Sequence, residues 1–208
     1  AETTCAHIVG ALAQGRNDMT QILGDAVQAA QDQVAAVAGT TPEARSGIRG
    51  DRVNAPSCTW ACAVLRHGIV SAASVGDSRV YLIGPDGSDR MTTDDSWAAE
   101  VVAAGLMSEE VAEMQPQAHA ITGWLGADAP AIKLTVRHEP ARPGLLVACS
   151  DGLWNYASPA TELGRVVTNA AEGADELLDR VRNMVKFALD EGGHDNITVV
   201  ATDIAAVP

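Results

Sequence analysis

The sequence predicts an α+β protein whose antiparallel sheets are covered by helices, and three observations predict it. Helical and strand-forming stretches come in blocks instead of alternating as βαβ units, which argues against a parallel sheet. The strand-forming runs are short, built from small and β-branched residues, and separated by glycine-containing turns. The helical stretches are amphipathic, each with an apolar face to bury.

In chain order, residues 2–14 read as a helix. From Asn17 a second helix places Met19, Ile22, Leu23, Ala26, Val27, Ala30, Val34 and Val37 on one face, and Gly39 stops it. Residues 40–56 hold Gly, Pro, Ser and mixed charges without periodicity and read as a loop. Strands follow at residues 57–65, 69–75 and 80–83, separated by Arg66-His67-Gly68 and Gly76-Asp77-Ser78-Arg79. Pro85-Asp86-Gly87 then turns the chain into residues 89–92, which completes an antiparallel meander. Between Asp94 and Gln117 the helical period returns. Trp97, Val101 and Val102 share a face there, Gly105 is a break, and Ser108-Glu109-Glu110 is a second helix start. Strands at residues 132–138 and 145–149 flank a turn at residues 140–144. A last helix carries Leu177, Leu178, Val181, Met184, Val185, Ala188 and Leu189 and ends at Gly192-Gly193, and residues 197–204 form the closing strand. No element is assigned between Trp154 and Leu177, and no repeat, linker or second domain is evident.

Composition bounds the function. The chain has 208 residues, 47% of them apolar, enough for a sizeable core. Aromatic residues are only 3%, so Ala, Val, Leu and Ile must fill that core. With 27 acidic and 14 basic residues the net charge is -13, which repels phosphate backbones and anionic lipid heads, so no nucleic-acid or membrane partner is expected. No apolar run reaches the roughly 18 residues that cross a bilayer, the N-terminus has no signal pattern, and the expected compartment is the cytoplasm. Cys5, Cys58, Cys62 and Cys149 fit no zinc spacing. Cys58 and Cys62 would lie about 13 Å apart along a strand, too far to bridge, and buried reduced thiols are expected. The chain starts with Ala1 and runs straight into helical sequence, which suggests an excised segment whose upstream part is missing. Its Ala-rich, Lys-poor composition suits a high-GC bacterium.

Three aspartates each stand where an apolar strand meets a glycine-containing turn: Asp77 in Ser74-Val75-Gly76-Asp77-Ser78-Arg79, Asp151 in Ala148-Cys149-Ser150-Asp151-Gly152-Leu153-Trp154, and Asp195 in Gly192-Gly193-His194-Asp195-Asn196-Ile197-Thr198. Each alone is ordinary turn chemistry, because Asp bonds its own backbone and Gly accepts positive φ. Three carboxylates at one rim of a sheet system repel one another unless a cation lies between them. Oxygen-only ligands select a hard ion such as Mg²⁺ or Mn²⁺. Two such ions can activate a water against a phosphoryl group with no protein nucleophile. Ser150 stands in Cys-Ser-Asp-Gly and not in a Gly-x-Ser-x-Gly elbow, so it is a weak nucleophile candidate.

Four motifs in order, Gly76-Asp77-Ser78-Arg79-Val80-Tyr81, Thr92-Thr93-Asp94-Asp95-Ser96, Leu146-Val147-Ala148-Cys149-Ser150-Asp151-Gly152-Leu153-Trp154 and His194-Asp195-Asn196-Ile197-Thr198-Val199-Val200, resemble the later motifs of the metal-dependent protein phosphatases of type 2C. The resemblance covers about residues 58–204. It implies two antiparallel β-sheets packed as a sandwich flanked by helices on both faces, with Mg²⁺ or Mn²⁺ at one edge and phosphoserine or phosphothreonine in a protein as substrate. By position Asp151 and Asp195 look like ligands of one core metal, and Asp77 like the acid of a further, loosely bound one. Residues 93–130 are similar to the family's variable flap, within a single phosphatase domain spanning residues 1–208.

The sequence also departs from the family. Its earlier motifs, an acidic strand with a phosphate-binding Arg and an Asp-Gly-x-Gly strand end, have no match in residues 1–56. Asp51, an acid beside a glycine there, follows no apolar strand. Asn155 stands where many relatives carry an acid, and Thr122-Gly123-Trp124-Leu125-Gly126 lacks their arginine. No catalytic side chain is therefore assigned, and a catalytically inactive binding or regulatory module is the rival reading. Of the remaining candidates, His194 reads as an exposed turn histidine, Arg79 as the partner of a buried carboxylate, and Trp154 as core behind the site.

Overall fold

The structure, a computed structural model, describes residues 1–38 and 56–205; most of the predicted loop, Asp51 included, lies outside the described residues. The chain divides into two compact units, Ala1–Trp60 with Asp95–Val136, and Ala61–Asp94 with Arg137–Pro208.

The second unit holds the two larger sheets. Strands β2 (Trp60–Arg66), β3 (Ile69–Val75) and β7 (Arg137–Pro140) form one, in the order β2-β3-β7. Strands β4 (Arg79–Gly84), β5 (Gly87–Arg90), β8 (Gly144–Cys149) and β9 (Val199–Ile204) form the other, in the order β5-β4-β8-β9. Alternation along β4 and β8 decides the layering. Val80, Leu82, Leu146 and Ala148 face a cluster shared with Val70 and Ala72 of β3 and with Ala61 and Ala63 of β2. Tyr81, Ile83, Leu145, Val147 and Cys149 face the opposite way, as a period of two requires. That outer face is covered by helices α5 (Asp151–Trp154), α6 (Ala160–Ala170) and α7 (Leu177–Asp190), which contribute Leu153, Trp154, Leu163, Val167, Met184 and Ala188. The class predicted from sequence therefore holds: α+β, antiparallel sheets, helices on a sheet face.

Three expectations about these sheets and their cover are corrected. The predicted meander is broken: β3 and β4 belong to different sheets, and the chain changes sheets through Gly76-Asp77-Ser78. Gly76 has a φ of 91°, a conformation that side chains disfavour and that redirects the strand. By contrast β2 and β3 are joined by a two-residue turn with positive φ at His67 (50°) and Gly68 (74°), the pattern of a tight hairpin. The strand expected at residues 132–138 is paired only over Arg137–Pro140, opposite Ala72 to Ile69. Helix α6 went unread, although Leu163, Val166, Val167 and Ala170 keep helical spacing and are all buried.

In the first unit, α1 (Glu2–Ala13) and α2 (Met19–Ala38) bury Ile8 and Ala11, and Ile22, Leu23, Ala26, Val27 and Ala30. Val37, assigned to the buried face, is 48% exposed. Two short strands, β1 (Ser57–Cys58) and β6 (Leu125–Gly126), pair with each other, which separates β1 from the single strand expected at residues 57–65. Gln31 of α2 bonds both the carbonyl (2.7 Å) and the amide (2.9 Å) of Gly126. Helices α3 (Trp97–Ala103) and α4 (Glu109–Glu113) start where expected, capped by the Ser96 and Ser108 hydroxyls. Among the described residues no helix is long and apolar enough to cross a membrane. Of the cysteines expected to be buried, only Cys149 is; Cys5 and Cys58 are exposed.

Candidate metal centre

Strand register brings the three aspartate turns to one end of the four-stranded sheet. Arg79, the first residue of β4, lies opposite Cys149, the last of β8, and Cys149 lies opposite Val199, the first of β9. The turn before β4 carries Asp77, the turn after β8 carries Asp151, and the turn before β9 carries Asp195. Antiparallel pairing alone thus gathers three segments that are far apart in sequence.

The Asp151 and Asp195 turns are stitched together through Ser150. Its hydroxyl donates to the Asn196 carbonyl (3.1 Å) and accepts from the Thr198 amide (3.0 Å), and its own amide donates to the Thr198 carbonyl (3.1 Å). Both capacities of the hydroxyl are used on backbone, which fits a clip and not a nucleophile. Gly152 makes the approach possible, since a Cβ there would stand 2.3 Å from the Asn196 carbonyl oxygen. On the far side of the turn the Tyr156 hydroxyl accepts from the His194 amide at 3.1 Å. The His194 side chain is exposed, as expected.

Asp77 and Asp151 are both half-buried. The Asp77 carboxyl is pushed up from 3.8 to about 6, first by burial and then by the Asp151 charge. A backbone N–H and Arg79 pull it partly back, while Asp94 pushes it further up. Asp151 is the first residue of α5. Asp195 is exposed, and its Oδ1 accepts from the Asn196 amide at 2.6 Å. Among the described residues no group of three or more His, Cys, Asp or Glu side chains is drawn together closely enough to hold a metal ion. The structure therefore brings Asp77 and Asp151 within electrostatic reach, and brings the Asp195 backbone to the same rim with its carboxylate on its own turn.

Behind this rim lies a buried ion pair. Arg79 is 0% exposed; its Nε donates to both Asp94 oxygens at 3.0 Å and its Nη2 to Asp94 Oδ2 at 2.6 Å. Burial alone would draw the guanidinium pKa down, but the hydrogen bonds and charge of Asp94 more than reverse this, and it is raised. Arg79 is thus the partner of a buried carboxylate, as the sequence suggested. Its guanidinium lies over the Trp154 ring, 3.4 Å from the centroid. The Trp154 Nε1–H donates to the Asp77 carbonyl at 2.9 Å. Burial pushes both Tyr81 and Cys149 up to about 12, so neither ionises near neutral pH. The sequence motif contains Asp94 but does not by itself give it a role, since Asp95 stands beside it; the signal for a buried acid there is that Arg79 needs a partner.

The chemistry of the donors fits a hard divalent cation. They are all oxygen, and Mg²⁺ commonly takes one or two carboxylates and fills its remaining positions with water and substrate phosphate. The Asp77–Asp151 repulsion is what such a cation would relieve. Asn155, exposed at the end of α5, supplies no further charge.

No protein-family profile matches the chain. The chain is 34% identical over 130 residues to protein phosphatase PhpP of Streptococcus pneumoniae, an alignment covering 61% of this chain and 50% of PhpP. The chain thus spans about half the length of this relative. The structure resembles the serine/threonine phosphatase PstP/Ppp of Mycobacterium tuberculosis with a TM-score of 0.72 at 25% identity, over 98% of this chain and 82% of that one. It also shares the fold of the PstP catalytic domain solved in complex with two manganese ions, with a TM-score of 0.66 at 23% identity, over 98% of this chain and 81% of that one. With its ordered motifs carried on this sandwich and its aspartate turns at one sheet end, the chain is similar in sequence and in fold to these protein phosphatases.

Proposed function

We propose that this chain carries out metal-dependent hydrolysis of phosphoserine and phosphothreonine in proteins. The observation that carries the reading is the register Arg79–Cys149–Val199, which delivers the Asp77, Asp151 and Asp195 turns to one rim. It is supported by relatives named protein phosphatases and by the manganese in a structure of the same fold. In this reading Asp151 and Asp195 hold a core Mg²⁺ or Mn²⁺ and Asp77 a further one. The ions, when bound, supply an activated water and neutralise phosphate oxygens. The chain's own part is to fix those carboxylates through Ser150, Gly152 and Trp154. Residues 1–208 are read as one phosphatase domain, residues 93–130 as its substrate-shaping insertion, and the cytoplasm as its place of work.

The test is phosphate release from a phosphothreonine peptide with and without Mn²⁺, by this chain and by a version extended upstream. Mn²⁺-dependent release that Asp151→Asn lowers at least a hundredfold is expected. Release that is indifferent to Mn²⁺ or to Asp151, or no release from either form, would remove the reading.

A further inference from the structure

We propose that Trp154 is a positioning residue for Asp77, and that the buried Asp94–Arg79 ion pair bears on the same carboxylate through the Trp154 ring. The inference rests on the proposed reading of Asp77 as a cation ligand. Asp77 stands in the turn where the chain leaves one sheet for the other, outside the paired residues of β3 and β4. Its carbonyl accepts the Trp154 indole N–H at 2.9 Å. Trp154 is 2% exposed, so the ring cannot swing away from that bond without opening the core under the four-stranded sheet.

The ring is in turn held by a cation that cannot move. Arg79 lies 3.4 Å from the ring centroid, and its planar head is fixed at the edge by Asp94 and by Ser158 Oγ at 3.1 Å. The guanidinium, anchored at its edge by Asp94, closes one face of the indole while Nε1–H is directed at the Asp77 carbonyl. With Nε and Nη2 on Asp94 and no exposed surface, Arg79 is not presented to a substrate phosphate. Its link to the rim is mechanical. Groups that orient a metal ligand from behind typically change metal affinity ten- to a hundredfold.

The test is Mn²⁺ binding by the protein, followed through the electron paramagnetic resonance signal of free Mn²⁺. Four forms are compared: unmutated, Trp154→Phe, the paired replacement Arg79→Met with Asp94→Leu, and all three changes together. Trp154→Phe keeps a ring and removes the N–H. The paired replacement removes both buried charges at once, so no orphaned ion is left. Unfolding midpoints in chelator are measured in parallel. About tenfold weaker binding is expected for Trp154→Phe, a similar loss for the paired replacement, and no further loss on combining them. Should the paired replacement not fold, Arg79→Lys, which keeps the charge but loses the planar face, makes the same comparison. Unchanged Mn²⁺ affinity in Trp154→Phe alongside lowered stability would overturn the proposal and leave Trp154 a core residue. Strictly additive losses would overturn the route through the ring. No binding by the unmutated protein would withdraw the metal-dependent function itself, and this inference with it.

Discussion

Asp77 is held in a position that costs stability when it ionises. Its carboxyl titrates near 6 in the fold against 3.8 for the ordinary group, so the folded state keeps the proton longer than the unfolded chain does. Below about pH 3 the group is neutral in both states; as pH rises from there through 6 the advantage of the protonated form is lost. Asp77→Asn removes that loss. The variant is therefore expected to match the unmutated protein at about pH 3 and to exceed it in chelator at pH 7.5 by about 1 kcal/mol, after allowance for solvent screening at a half-exposed rim. Urea unfolding at the two pH values checks this, and an equal gap at both would contradict it. Residues were also where the sequence was most informative. Arg79 pairs with a buried carboxylate and Trp154 packs in the core, as read from the sequence, and Asp77 and Asp151 stand at strand ends of one sheet. The bonds of Ser150 were not foreseeable, because a serine before Asp-Gly is compatible with capping its own helix as readily as with clipping a distant turn.

Among the elements, legibility followed the strength of local periodicity. β4 and β8 alternate cleanly and were found within a residue or two. β1 and β6 are two residues each and exist only because they pair with each other and with Gln31, information that no local window contains. The break of the meander at Asp77 was hidden for a related reason: a Gly-Asp turn does not tell which sheet the next strand joins. α6 carries a helical period in Leu163, Val166, Val167 and Ala170, but it is short and lies between a turn and a longer helix. Its weight can be measured. Leu163 is 0% exposed inside the cluster shared with Tyr81 and Val147, whereas Leu178 on α7 is 53% exposed. Leu163→Ala is expected to cost about 2–5 kcal/mol and Leu178→Ala less than about 0.5 kcal/mol, by chemical denaturation of each. Similar costs at both positions would mean that α6 does not cover the sheet as described.

For the whole molecule, the governing fact is topological. Two sheets packed through small residues such as Ala61, Ala63 and Ala72 bring strand ends into line, and the acidic turns ride on those ends. The sequence's surplus of acids said only that a cation was affordable somewhere. The pairing of β4, β8 and β9 says where. The most direct measurement of this account is anomalous scattering at the manganese edge from crystals of the protein soaked in MnCl₂. A peak within bonding distance of the Asp151 carboxylate, beside the Asp77 and Asp195 turns, is the predicted result. Manganese bound only at other surface acids, with that rim holding none, would contradict it.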